Sequence, residues 1–177
     1  FPNHLDVQAT PVVVNFNQPP VSGPPSIIAP FTATVPGSYT EGLGVLRILR
    51  GTDCTVEAVL GGTDLDGDGI VDWVASPATP ALGDLDGDGV ADIVTYGGDG
   101  SLLAFTRKSG VWSLLWKGRD SAGGNVFIDP IYSWTPDRSA NWAGPSIHDL
   151  DDDGVPEIIR EGYVFSAEGI LLSGLPP

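Results

Sequence analysis

Asp64-Leu-Asp-Gly-Asp-Gly-Ile-Val-Asp72 is the most informative stretch of this chain, because it recurs twice with the same spacing of acids. The second copy is Asp84-Leu-Asp-Gly-Asp-Gly-Val-Ala-Asp92, and the third is Asp149-Leu-Asp-Asp-Asp-Gly-Val-Pro-Glu157. A short run rich in β-branched or aromatic residues follows each copy, which favours a strand directly after the loop. The recurrence predicts a single repeat array over residues 1–177.

Three pairs of strand-like segments flank short turns: the first pair follows Asn15-Phe16-Asn17, interpreted as a degenerate copy of the loop, and the other two follow the acidic loops that begin at Asp84 and Asp149. The pairs are Val45–Leu49 with Val56–Leu60, Leu102–Thr106 with Val111–Trp116, and Tyr163–Phe165 with Ile170–Leu172. With the strands beside the loops, they predict an all-β fold of β-propeller-type blades, each of four antiparallel strands. A β-sandwich carrying calcium loops is the rival architecture.

The predicted blades cover residues 10–62, 79–118 and 143–177, with inter-blade insertions at 63–78 and 119–142. About three blades are fewer than the four to eight that propellers usually carry. The array is therefore expected to be incomplete, either as a fragment of a longer propeller or because further copies assemble with it.

The amino-acid composition and net charge limit the kinds of fold and partner that this chain can have. The chain has 177 residues with 24 glycines and 16 prolines, a content that suits short strands and tight turns. Its formal net charge of −15 disfavours binding to nucleic acid. No apolar run approaches the roughly 20 residues of a membrane span. Thirteen of the 23 acids lie in the three loops, a concentration that is destabilising unless positive charge lies among them.

The loop pattern suits calcium, a hard cation that takes six to eight oxygen ligands. Acids at positions 1, 3, 5 and 9 and the carbonyl of position 7 are predicted to converge on one ion, while glycine lets the backbone curl around it. The predicted ligands are Asp64, Asp66, Asp68, Ile70 and Asp72; Asp84, Asp86, Asp88, Val90 and Asp92; and Asp149, Asp151, Asp153, Val155 and Glu157.

Other metals and the EF-hand fit less well. Magnesium demands a stricter octahedron and gives up water reluctantly, and zinc prefers histidine or cysteine, which the loops lack. An EF-hand needs a glutamate at position 12, where this chain has Ala75, Thr95 or Arg160. Three calcium ions are therefore predicted, with the third loop departing from the pattern at Asp152 and Glu157.

These loops resemble the FG-GAP and VCBS type of calcium-binding repeat, found in the β-propellers of integrin α subunits and of many bacterial secreted proteins. The specific match is confined to the three nine-residue loops. The resemblance implies a propeller fold, calcium in the loops and a secreted or cell-surface location.

No metalloprotease, nucleophile-elbow, phosphate-loop or Cys-x-x-Cys motif occurs in the sequence, so a non-enzymatic role is predicted. The leading hypothesis is an extracellular module for adhesion, ligand binding or assembly, with a protein or glycan partner at a surface. One alternative is a homo-oligomeric filament formed by strand-edge pairing. Another is an accessory domain of a secreted carbohydrate-active enzyme.

Two further expectations concern a pair of tryptophans and the single cysteine. Trp112 and Trp116 are four apart on a predicted strand, so they are expected to share one face and pack together between blades. Cys54 is the only cysteine and is expected to be a small buried apolar residue.

Overall fold

A computed structural model describes residues 4–7, 9–17, 23–33, 42–127 and 143–173. These residues form thirteen β-strands in three antiparallel sheets, and no helix occurs among them. The predicted all-β, antiparallel class is therefore confirmed. No helix within the described residues is long and apolar enough to span a membrane. Residues 18–22, 34–41, 128–142 and 174–177 of the predicted blades and insertions lie outside the described part.

The first sheet has six strands built around β3 and β4. Its members are β1 (His4–Asp6), β2 (Val12–Val14), β3 (Ser26–Ala33), β4 (Leu43–Arg50), β5 (Val56–Leu60) and β6 (Val74–Ala75). Two short strands share one edge of β3: β2 pairs with its first half and β1 with its last residues. Pro30 falls in the interval between them, where a missing N–H costs no ladder bond on that edge.

The second sheet is a meander in chain order, comprising β7 (Ala81–Gly83), β8 (Asp92–Tyr96), β9 (Leu102–Lys108) and β10 (Val111–Lys117). The third sheet comprises β11 (Ser146–His148), β12 (Glu157–Arg160) and β13 (Tyr163–Phe165). The first two predicted hairpins are present as β4–β5 and β9–β10. The last is reduced to a bridge between Phe165 and Leu171, with the N–H of Leu172 donating to the Val164 carbonyl at 2.8 Å.

The second sheet lies between the other two and buries both of its faces. Alternate side chains of β9 show this, because Leu103 and Phe105 join one apolar cluster while Leu102 and Ala104 join another. The first cluster continues into the first sheet through Ile28, Leu46, Ile48, Leu60 and Val74. The second continues into the third sheet through Ile158, Phe165 and Ala167. Because both faces of this sheet are covered, successive residues of β8 and of most of β9 are buried, and buried and exposed residues do not alternate along them.

The expectation that Trp112 and Trp116 share a face is wrong. The pairing of β10 with β9 shifts register between Leu114 and Trp116, and such a bulge reverses which face the later residues occupy. Trp112 packs on the cluster of the first sheet and meets Phe16 edge-on, with ring centroids 4.9 Å apart. Trp116 packs on the opposite cluster, where its indole N–H donates to the Ala167 carbonyl at 2.8 Å.

Cys54 is exposed, so the expectation of a buried residue is also wrong. It lies in the turn between β4 and β5 with a φ of 58°, and its N–H donates to the Arg50 carbonyl at 2.8 Å. The thiol sits in a left-handed turn position at the surface, away from both apolar clusters.

Candidate metal centres

Each acidic loop joins two neighbouring antiparallel segments in the same way. The residue before the loop pairs with the last acid of the loop: Thr63 with Asp72, Gly83 with Asp92, and His148 with Glu157. Antiparallel pairing places such residues directly opposite each other. The ends of each nine-residue segment are therefore held together by the strands, and the carboxylates of positions 1 and 9 lie side by side.

Backbone conformation inside the loops confirms the expectation about glycine. Positions 4 and 6 have left-handed φ angles, of 82° and 86° in the first loop and 73° and 83° in the second. In the third loop Asp152 adopts a φ of 60° and Gly154 a φ of 89°. Aspartate tolerates this region better than most residues, so the third loop keeps the same curl despite its departure from the pattern.

Three acids of each loop come together at one point. They occupy positions 1, 3 and 9, and their closest carboxylate oxygens all lie within 4.8 Å of one another. Any of these groups could hold a metal ion, because that separation allows one cation to touch all three carboxylates. The groups are Asp64, Asp66 and Asp72; Asp84, Asp86 and Asp92; and Asp149, Asp151 and Glu157.

The first acid of each loop also organises the backbone around the centre. In the second loop, Asp84 accepts hydrogen bonds from the N–H groups of Gly87 at 2.9 Å and Gly89 at 2.8 Å. Asp64 accepts the equivalent bonds at 2.7 and 3.0 Å, and Asp149 accepts one from Gly154 at 2.9 Å. These hydrogen bonds hold the loop in its curled conformation without a bound ion.

The acids at position 5 are not part of the three groups. Asp68, Asp88 and Asp153 each accept a hydrogen bond from the N–H of position 7, at 2.7, 2.7 and 2.8 Å. The carbonyls of Ile70, Val90 and Val155 remain predicted ligands, as do the three position-5 carboxylates. A metal ion could recruit a second oxygen of each acid without breaking these bonds, because a carboxylate has several acceptor sites.

The second centre contains a buried carboxylate oxygen without a partner. Asp92 is 1% exposed, and its Oδ2 accepts a hydrogen bond from Leu85 N–H at 2.9 Å. Its Oδ1 is buried and accepts no well-formed hydrogen bond from the described residues, although the hydroxyl of Thr106 is close enough to affect the carboxylate. Burial raises the pKa of Asp92, against the opposing effects of the Leu85 N–H and the Thr106 hydroxyl. An unpaired carboxylate oxygen is costly in a protein interior, and a bound cation would remove that cost.

In the first centre, both oxygens of the buried position-9 acid accept hydrogen bonds. Asp72 is 5% exposed, and its Oδ2 accepts from Leu65 N–H at 2.9 Å, as the equivalent oxygen does in the second loop. Its Oδ1, however, accepts a hydrogen bond from Lys117 Nζ at 2.8 Å. Burial lowers the pKa of Lys117, but its bonds to Asp72 and Asp99 outweigh that effect and raise it above the usual value.

Lys117 and Asp99 also belong to this centre, although no sequence pattern predicts them there. Lys117 is 45 residues from Asp72 in the chain and ends β10 in another sheet. Asp99 belongs to the turn between β8 and β9, which reaches the first sheet through a bridge between Val74 and Gly97. No local motif marks either residue, so only the packing of the two sheets reveals their role.

The third centre is the most open of the three. Leucine at position 2 anchors the second loop, where Leu85 is 7% exposed within an apolar cluster, whereas the equivalent Leu150 is 51% exposed. Glu157 is half-buried and accepts from Leu150 N–H at 2.8 Å. The same hydrogen-bond pattern thus persists with less cover from the core.

A scan against protein-family models and a search of curated proteins found no match. A search of solved structures found similarity to the crystal structure of the V. cholerae biofilm matrix protein Bap1, with a TM-score of 0.43 and 19% sequence identity. The aligned region covers 97% of this chain and 31% of that chain.

Proposed function

We propose that the three loops bind calcium and that the ions hold neighbouring strands of an extracellular β-repeat module together. The observation that carries this proposal is the oxygen Asp92 Oδ1, which is buried beside two further carboxylates and accepts no well-formed hydrogen bond from the described residues, the nearby Thr106 hydroxyl included. A divalent cation would supply the missing partner and neutralise the crowded acids.

Calcium fits the donor set better than its competitors. All three groups offer carboxylate oxygens only, which are hard ligands. We expect the position-7 carbonyls and water to add further oxygens. Several of the acids are exposed, so water can complete a coordination shell of six to eight oxygens. Magnesium would need a nearly ideal octahedron, which these irregular loops are less suited to provide.

A propeller of FG-GAP or VCBS type is the architecture we propose for these units. The second sheet is a four-stranded meander whose first connection is the calcium loop, and the first sheet contains the meander β2, β3, β4 and β5. The three sheets bury apolar faces against one another in chain order. Blade-like sheets that pack in this way support the propeller over a two-sheet sandwich.

We also propose an extracellular and non-enzymatic role, which the same loops support. Open calcium loops with exposed acids are suited to the millimolar calcium outside cells, where modules bind with dissociation constants of about 10⁻⁴–10⁻³ M. The carboxylates of positions 1 and 9 already accept hydrogen bonds from their own loops, which supports a structural role over acid–base chemistry. We propose adhesion or assembly, with a surface protein or glycan as partner.

Replacing Asp86 by alanine tests the metal assignment. The variant is expected to bind one calcium ion fewer per chain, because Asp86 is the position-3 member of the second group. Metal content after dialysis against calcium, measured by atomic absorption, gives the number directly.

Asp120→Ala provides a matched control. Asp120 lies outside the three loops but organises a turn in the same manner, accepting hydrogen bonds from Ala122 N–H at 2.9 Å and Gly124 N–H at 2.8 Å. This variant should retain every ion. Equal metal content in the Asp86→Ala variant and the unaltered protein would contradict the proposed function.

A further inference from the structure

A cation that belongs to the chain already occupies part of the first centre. Lys117 Nζ lies 2.8 Å from Asp72 Oδ1 and 3.9 Å from Asp66 Oδ2. Both residues are among the three acids of that loop that could hold a metal ion. The ammonium therefore lies at the edge of the position where calcium would have to bind.

The lysine is held in place by its surroundings. Its side chain is 7% exposed, and a third carboxylate, Asp99 Oδ2, lies 3.1 Å from Nζ. The hydrogen bonds from Ser101 and Lys117 hold the pKa of Asp99 below its usual value even though burial opposes them. The ring of Phe127 lies over the ammonium with its centroid 5.9 Å away. Lys117 also ends β10, where it pairs with Leu103 of β9.

The second centre offers a contrast within the same molecule. Lys108 Nζ lies 3.0 Å from Asp86 Oδ2, but the lysine side chain is 61% exposed and can turn into solvent. The innermost acid of that centre, Asp92, keeps one oxygen unpaired. One centre thus has a fixed internal cation on its buried acid, and the other has none.

We infer that Lys117 is a tethered cation that orders the 64–72 loop without calcium and competes with calcium for it. This inference rests on the proposed function. Calcium entering the first centre must displace the ammonium from Asp72 or bind beside it. Either route weakens the binding of calcium at the first centre. Displacement loses a charged hydrogen bond, and binding beside the ammonium brings two positive charges within a few ångströms of each other.

The two loops consequently respond to different calcium concentrations. The 84–92 loop fills first and depends on the ion for its stability. The 64–72 loop stays attached to the second sheet through Lys117 and Asp99 at low calcium, and it fills only at higher concentration. The lysine sets this order, because the two loops are otherwise alike in sequence, backbone curl and hydrogen bonding.

Calcium titration of Lys117→Met by isothermal calorimetry tests the inference. The variant is expected to bind one of its ions about tenfold more tightly than the unaltered protein, because the competing charge is gone. Adding Asp66→Asn to the variant should abolish that gain, which assigns it to the 64–72 loop. In chelator the Lys117→Met protein should melt at a lower temperature, since Asp72 loses the charged hydrogen bond from Lys117.

Lys108→Met is the control, and a change of less than about threefold is expected there because the exposed lysine can move aside. Lys117→Gln provides a second uncharged variant should Lys117→Met fail to fold, and it is expected to show the same tightening. Calcium affinities unchanged or weakened in a folded variant would overturn the inference while leaving the proposed function intact. An absence of calcium binding in every variant and in the unaltered protein would overturn both.

Discussion

Asp92→Asn is expected to lower stability in calcium but not in chelator. In chelator the variant should be as stable as the unaltered protein or slightly more stable. The amide oxygen can still accept from Leu85 N–H, and the amide nitrogen can donate toward the neighbouring carboxylates where Oδ1 now lacks a donor. In calcium at about 100 times the dissociation constant, the variant should be less stable by about 3 kcal/mol, because it no longer gains the binding free energy of that ion.

Asp72→Asn is the matched comparison for this prediction. It occupies the same position of the first loop, but its Oδ1 carries the hydrogen bond from Lys117. The substitution should cost about 2 kcal/mol in chelator and at a calcium concentration that fills the 84–92 loop but not the 64–72 loop, since it weakens a buried charged hydrogen bond in both media. Urea unfolding in calcium and in chelator measures all four values. A similar loss for Asp92→Asn in both media would contradict a cation at Asp92.

Removing calcium from the unaltered protein should lower its melting temperature by about 10 °C or more. An ion at 100 times its dissociation constant contributes about 2.7 kcal/mol, and two such ions about 5 kcal/mol. Each kcal/mol shifts the melting temperature of a domain of this size by about 2–4 °C. Differential scanning calorimetry with calcium and with chelator gives the difference.

Magnesium in place of calcium provides the control for this second prediction. It should restore only a small part of the lost stability, because the irregular loops suit its octahedral geometry poorly. Full recovery in magnesium would point to a general need for divalent charge. A melting temperature that does not change with chelator would contradict a structural role for the metal.

The loops could be predicted from sequence because their chemistry is local. Asp84, Asp86, Gly87 and Gly89 are close neighbours in the chain, and positive φ at glycine together with bonds to the first acid fixes the curl within nine residues. The hairpin β9–β10 was predictable for a similar reason, since both strands flank one short turn.

The rest depends on how sheets pack, which the sequence does not display. A single bulge in β10 separates Trp112 from Trp116, and alternation alone cannot reveal where such a bulge falls. Lys117 reaches the first loop where the second sheet packs against the first, beside the turn that contains Asp99. The missing hydrogen bond at Asp92 Oδ1 depends on the burial of that side chain, which the sequence does not show.

A crystal structure of the protein grown in about 5 mM calcium, with anomalous diffraction recorded at long wavelength, tests the ion positions most directly. An anomalous peak is expected among Asp84, Asp86 and Asp92, with carboxylate oxygens at about 2.3–2.6 Å from it. Well-ordered side chains at that place with no peak, or with only water between them, would contradict the account.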